Sequence, residues 1–299
     1  MSTIERALKR QKAEADKKAS EEKANLDAEV AAKQNVVVET ENRVAAEVEN
    51  GSTKDRAYLQ LNLDDKYFVT PNSIKHSIGE EFRAIKRKVL SNAFGPLSKT
   101  LNNSNIIMVS SANPNEGKTF TAVNLALSIA LEQDKTVLLV DADVLRPNVM
   151  KTLGVTYDNG LMEYLLGEVD DISDVIYHTN VEKLRIIPAG KSHHLSTEML
   201  ASEKMLDIVN EFATRYSDRV VIFDSPPLLG INETAIMTNL AGQAVVVIEE
   251  GKTKLADIST AVEQLNPDMA KGFVVNKSQK GNQAQGYGYG YGYYSTESE

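Results

Sequence analysis

The run Ser111-Ala112-Asn113-Pro114-Asn115-Glu116-Gly117-Lys118-Thr119 has the residue types and spacing needed to grip a chain of phosphates. It follows the apolar run Ile106-Ile107-Met108-Val109 and precedes a helix-like stretch from Thr119 to about residue 132. Strand, loop, helix is the context that gives such a motif meaning. Backbone N–H groups in a loop and at a helix start form a concavity for anions. Here Asn115, Glu116 and Gly117 supply the loop. Lys118 is placed to reach β- and γ-phosphates, the Thr119 hydroxyl to meet Mg²⁺, and Phe120 to follow on the nucleotide side of the first turn. Ala112 occupies the position of the usual first glycine, which a small side chain permits if its φ stays negative.

Two acidic strand ends fit the same site. Val137-Leu138-Leu139-Val140 leads into Asp141-Ala142-Asp143, and Val220-Val221-Ile222-Phe223 leads into Asp224-Ser225-Pro226-Pro227. Apolar runs of this length read as strands buried on both faces. Their acids then sit at the carboxyl ends, where open α/β sheets gather ligands. Asp141 and Asp143 share one side of an extended chain. Such a pair suits either Mg²⁺ coordination or proton abstraction from a hydroxyl. Asp224 reads as the Walker B carboxylate of the Mg²⁺ shell. Loop, acid strand and acid strand in that order predict a P-loop nucleotide-binding protein.

The C-terminal segment adds a different chemistry. Tyr287, Tyr289, Tyr291, Tyr293 and Tyr294 are five of the 11 tyrosines, and they alternate with Gly286, Gly288, Gly290 and Gly292. Glycine this dense opposes regular structure. Phenolic hydroxyls on such a segment can enter an active site in several registers, which suits phosphoryl acceptors.

With these features the chain resembles the bacterial tyrosine kinases of polysaccharide export, over roughly residues 74–299. That family combines a Walker A loop, a second acidic strand, a Walker B strand and a C-terminal tyrosine cluster. The opening Met-Ser-Thr-Ile-Glu-Arg-Ala-Leu, the run Asp141-Ala-Asp-Val-Leu-Arg-Pro147 and the lack of a fused membrane part resemble one subgroup, the exosortase-A-associated tyrosine autokinases. The resemblance implies ATP and Mg²⁺ as cofactors and autophosphorylation of Tyr287–Tyr294, in a neighbouring subunit of a ring. It implies Lys118, Asp141 and Asp143 as catalytic residues, with Asp141 as base toward the phenol. Thr119, Asp143 and Asp224 would serve the metal, and Asn276 would contact adenine. Glu80, Arg83 and Lys86 match the helix used in ring assembly, with Lys86 where the family has Arg. Leu145 stands where the family's acidic strand has Arg, and Arg146 follows it. The implied partners are a membrane polysaccharide co-polymerase as activator, further copies of the chain, and a tyrosine phosphatase. The implied location is the cytoplasmic face of the plasma membrane, reached through that partner. A MinD/ParA-like positioning ATPase is the alternative enzyme, although Asn113 replaces its extra loop Lys. A nucleotide-gated, non-catalytic adaptor of polysaccharide export is the alternative outside enzymes.

The elements that must position these groups follow from patterning. Strands are expected at 106–110, 137–141, 184–188, 220–224, 244–249 and 273–276, with helices at 78–90, 119–132, 197–215, 233–241 and 254–265. Their alternation predicts a doubly wound, mostly parallel P-loop sheet covered on both faces. Residues 1–50 lack Gly, Pro and aromatics and are rich in Ala, Glu and Lys, so a helical arm is expected. The apolar face of its first turns, Ile4, Ala7 and Leu8, would dock on the membrane partner. Residues 51–77 are expected as a linker with strand-like pieces such as Tyr67-Phe68-Val69, 78–280 as the catalytic domain and 281–299 as a disordered tail. A hydrophobic content of 42% supports a core, and a net charge of −9 gives no basic field for nucleic acid. There is no cysteine, and the histidines show no ligand spacing; His193 and His194 adjoin in a polar loop. No apolar run approaches a membrane span of about 18 residues.

Overall fold

A computed structural model describes residues 57–73 and 76–278. The N-terminal arm, the Gly/Tyr segment with its five tyrosines, and the expected docking face Ile4, Ala7 and Leu8 all lie outside the described residues.

The described chain builds eight strands and eight α-helices. In order these are β1 (Tyr58–Leu59), α1 (Ser77–Phe94), β2 (Ile106–Ser111), α2 (Lys118–Ala130), β3 (Thr136–Asp141), α3 (Val149–Leu153), α4 (Leu161–Leu166), β4 (Tyr177–Thr179), β5 (Leu184–Ile187), α5 (Ser196–Leu200), α6 (Glu203–Thr214), β6 (Arg219–Asp224), α7 (Asn232–Met237), β7 (Gln243–Glu249), α8 (Leu255–Glu263) and β8 (Ala270–Asn276). They form one sheet in the order β1-β4-β5-β3-β6-β2-β7-β8. Every adjacent pair is parallel except β4 and β5. This is the mostly parallel α/β sheet that the alternating pattern predicts.

The continuous apolar runs form the central strands because both faces are covered. Ile106 and Met108 of β2 enter one hydrophobic cluster, and Ile107 and Val109 enter the other. Leu138 and Val140 of β3 separate from Val137 and Leu139 in the same way, as do Val221 and Phe223 of β6 from Val220 and Ile222. Helix α2 is buried at every position except Phe120. A helix buried all round needs cover on its outer side too, and α1 supplies it. Gly79, Phe82, Lys86, Val89 and Ala93 recur every three or four residues and form the buried stripe of α1. The Phe82 ring meets Phe120 edge-on, with centroids 6.2 Å apart.

Several expectations need correction. The described part of the 51–77 segment is packed against the domain. Tyr58–Leu59 pairs with β4, Leu59, Leu61 and Val69 are buried, and the Val69 N–H donates to Asn124 Oδ1 of α2 at 2.8 Å. Tyr67–Val69 is not a strand, because Tyr67 and Phe68 N–H groups both turn back to the Asp64 carbonyl. The helix expected over 197–215 is two helices. Ser202 breaks it and caps the second, its hydroxyl accepting from the Met205 N–H, in keeping with serine's preference for helix starts over interiors. Helix α7 stops at Met237 rather than near 241.

Candidate functional site

Strands β3, β6 and β2 are neighbours at the middle of the sheet, and their register aligns the acids. Asp141 sits opposite Asp224, and Asp224 opposite Val109. The phosphate loop leaves β2 from this level and turns into α2 at Gly117, whose φ is 101°. A side chain there would be strained, and its Cβ would stand 1.9 Å from Asn276 Nδ2, so glycine is required. Ala112 is absent from the positive-φ residues while Asn115 adopts φ 66°. The replacement of the first glycine therefore costs no backbone strain.

The charged groups converge beneath the loop. Lys118 Nζ lies 2.6 Å from Asp143 Oδ2 and 3.9 Å from Asp224 Oδ1. The Thr119 hydroxyl donates to Asp224 Oδ2 at 2.6 Å. Asp143 Oδ1 accepts the Arg146 N–H, and Asp141 Oδ2 accepts the N–H groups of Asn148 and Val149 at the start of α3. Burial alone would lower the Lys118 ammonium, but Asp224 and Asp143 outweigh it and hold its pKa above the ordinary value. Lys118 is therefore charged. Burial pushes the Asp224 carboxyl up to about 6 against the pull of Lys118 and Thr119. Burial and the neighbouring Asp224 push Asp141 up to about 8 against the Val149 N–H.

Two oxygens in this cluster, Asp141 Oδ1 and Asp224 Oδ1, are buried without a hydrogen-bond partner. Buried carboxylate oxygens are costly unless something satisfies them. A hydrated divalent cation does so, and the donor set of Thr119 hydroxyl and Asp224 carboxylate fits Mg²⁺, which binds through one or two carboxylates plus phosphates and water.

The remaining predicted residues divide. Glu116 is buried, and its carboxylate ties the loop together. Its Oε2 accepts the Asn113 N–H, and its Oε1 accepts the Thr253 hydroxyl from the turn before α8. That role was not legible in the motif. Asn276, at the end of β8, points its amide at the loop and donates to the Glu116 carbonyl at 2.8 Å. Phe120 and Thr121 open onto a groove of about 910 Å³, also lined by Phe82, Ile85, Phe273 and Asn276. Glu80 and Arg83 are exposed and paired with each other at 2.8 Å. Lys86 does not share their surface. It is buried on the opposite stripe of α1, where it donates to the Ser128 carbonyl at 3.2 Å and pairs with Glu132 at 2.6 Å. Those groups lie at the carboxyl end of α2, which attracts cations. Leu145 and Arg146 are both exposed, and only the Arg146 backbone reaches Asp143.

A protein-family model described as an AAA domain matches residues 104–270. Tyrosine-protein kinase YwqD of Bacillus subtilis (strain 168) is 31% identical over 199 residues, 66% of this chain and 80% of that protein. Tyrosine-protein kinase ptk of Acinetobacter johnsonii is 32% identical over 180 residues, 60% of this chain. This chain spans only 24% of that longer relative. Among solved structures, the kinase domain of Escherichia coli tyrosine kinase ETK matches with a TM-score of 0.62 at 25% identity, covering 81% of this chain and 91% of that one. No described helix is long and apolar enough to cross a membrane.

Proposed function

The chain belongs to the bacterial tyrosine kinase family, and on that footing we propose that it is an ATP- and Mg²⁺-dependent protein-tyrosine autokinase with Tyr287, Tyr289, Tyr291, Tyr293 and Tyr294 as acceptors. The observation that carries this reading is the Lys118 ammonium held between Asp143 and Asp224 under a left-handed Gly117 turn, with Thr119 on Asp224. Phosphoryl transfer is mostly positioning and charge neutralisation, and these groups perform both. N–H groups of Glu116, Gly117 and Lys118 bind phosphate oxygens, and Lys118 leaves Asp143 for the γ-phosphoryl group. Thr119, Asp143 and Asp224 would hold Mg²⁺, which would supply charge neutralisation to the phosphates. The groove lined by Phe120 and Asn276 would take the nucleoside. A phenol with a pKa of ~10 needs a proton acceptor near neutral pH. Asp141 takes that role as the carboxylate at the end of β3, in register with Asp224, its proton displaced when the site holds its cation.

The acceptor segment begins about ten residues beyond Asn276, a reach of at most ~36 Å when extended. Transfer runs in trans within a ring whose contacts include the exposed Glu80 and Arg83, and Lys86 is withdrawn from that set by its burial. Phosphate charge accumulating on the tyrosines then loosens the ring. The process regulates exopolysaccharide polymerisation and export, as in the exosortase-A-associated subgroup. A membrane co-polymerase activates the kinase and brings it to the inner face of the membrane, and a tyrosine phosphatase resets it.

Mass spectrometry after incubation with Mg²⁺-ATP, beside Lys118→Met, tests the reading. Phosphate on the tyrosine cluster of the unsubstituted chain alone supports it. ADP without phosphotyrosine, even with the membrane activator present, refutes it in favour of a positioning ATPase. Nucleotide binding without ADP formation under the same conditions favours the adaptor.

A further inference from the structure

Two consecutive residues at the end of β8 grip two consecutive carbonyls of the phosphate loop. Lys277 Nζ donates to the Asn115 carbonyl at 2.6 Å, and Asn276 Nδ2 donates to the Glu116 carbonyl at 2.8 Å. Lys277 is anchored in turn by Glu249 at the end of β7, at 3.0 Å. The Asn276 carbonyl accepts the Glu250 N–H, so the grip is fixed to the sheet at both residues. Among the described residues only Asn103, Asn115 and Lys277 are non-glycine residues with positive φ. Two of those three stand at the two ends of a single hydrogen bond. Left-handed backbone at such residues persists where the surroundings over-determine it.

The consequence lies in peptide geometry. In a trans peptide the C=O and the following N–H point in opposite directions across one rigid plane. Holding the Asn115 carbonyl fixes the direction of the Glu116 N–H, and holding the Glu116 carbonyl fixes that of the Gly117 N–H. Left-handed residues at 115 and 117 fold this stretch into the type of turn whose N–H groups converge on an anion. We propose that Asn276 and Lys277 are positioning residues that clamp the phosphate loop with its N–H groups turned inward, so that they set affinity for the phosphate chain itself rather than for the base. This deepens the nucleotide-site reading above and rests on it. It also gives Asn276 a task beyond adenine contact, since one N–H of its amide is committed to the loop.

The test compares ligands with and without a base. Affinities of the full chain for Mg²⁺-ADP and for inorganic triphosphate with Mg²⁺ are measured by competition against a fluorescent ADP analogue. The proteins compared are the unsubstituted chain, Asn276→Ala, Lys277→Met and Lys277→Arg, each with its ligand-free melting temperature. A lost hydrogen bond to a charged or well-placed donor corresponds to roughly tenfold in affinity. Asn276→Ala and Lys277→Met are each expected to weaken both ligands by about that factor. Lys277→Arg restores both, and ligand-free melting shifts by no more than about 2 °C. Weakening of ADP alone, with triphosphate unchanged, overturns the clamp and returns Asn276 to base contact. Unchanged affinity for both ligands in Lys277→Met also overturns it while leaving nucleotide binding intact. An unsubstituted chain that binds neither ligand overturns the nucleotide site and the clamp together. Phosphotyrosine is not read, so a failure of the kinase reading is not mistaken for a failure of the clamp.

Discussion

Lys86 separates a structural strut from an assembly contact, and its surroundings give the size of the effect. The side chain is 8% exposed, with its stem between α1 and α2 and its ammonium on Ser128 and Glu132. Truncation to Ala removes three buried methylenes, about 2.4 kcal/mol at ~0.8 kcal/mol each. The hydrogen bond from a charged donor adds about 1.5–3 kcal/mol, and removing the ammonium from water opposes it by a similar or larger amount. Lys86→Ala loses the stem and the polar contacts together, so a net loss of about 2–4 kcal/mol is expected. Lys86→Met keeps most of the stem and sheds the desolvation cost, so about 1 kcal/mol or less is expected. For a domain of this size 1 kcal/mol corresponds to roughly 2–4 °C in melting temperature, which places Lys86→Ala about 4–16 °C below the unsubstituted chain. Urea denaturation and thermal melts at several protein concentrations read this directly. Lys86→Ala that melts normally, yet loses an oligomer in sedimentation velocity, would refute the argument and restore Lys86 to an intersubunit role.

Three further outcomes follow from the same geometry. In metal-free protein the folded Asp141 carboxyl keeps its proton up to about pH 8, whereas its ordinary value is 3.8. The folded state therefore binds more protons across that window, and stability falls as pH rises from about 4 to about 8; Asp141→Asn should flatten that slope in urea titrations with EDTA. Gly117→Ala forces a Cβ into the left-handed region and against Asn276, so a stability loss of about 1–3 kcal/mol and loss of nucleotide affinity are expected by melting and ligand titration. Ser202→Ala removes the hydroxyl that accepts the Met205 N–H at 3.3 Å, and should cost about 1 kcal/mol in chemical denaturation without changing ligand binding.

The central strands were legible because β2, β3 and β6 are unbroken apolar runs ending in a loop or an acid, a pattern that local sequence alone carries. The position of Lys118 between Asp143 and Asp224 follows from those same motifs once the strands are adjacent. The edges were not legible. Tyr58–Leu59 and Tyr177–Thr179 are too short for a period to show, and they are strands only because of their pairing, Tyr58–Leu59 with β4 and Tyr177–Thr179 with both β1 and β5. Ser202 offered a signal, a helix-start residue inside a helical run, which identifies the break between α5 and α6 in hindsight. Lys86 fell on the wrong side because its spacing from Glu80 and Arg83 fits a charged motif, while its spacing from Phe82 and Val89 fits the buried stripe. Only the presence of Ser128 and Glu132 at the end of α2 decides between them. The grip of Asn276 and Lys277 on the loop joins distant parts of the chain, and no local pattern announces it.

The strand order also governs when the molecule can come into being. Strand β2 carries the loop, yet its partners β6 and β7 are synthesised long after it. Contacts of such high sequence separation fold slowly, because loop closure must precede any gain from pairing. As the chain emerges from the ribosome, Ile106–Ser111 is an unpaired apolar strand until Arg219–Asp224 has been made, and its second edge stays open until Gln243–Glu249 follows. A nascent chain is therefore most prone to aggregate during this interval, and it benefits then from a chaperone. The clamp residues on β8 arrive later still. On the clamp proposed above, the loop takes its anion-binding shape only once Asn276 and Lys277 have been made.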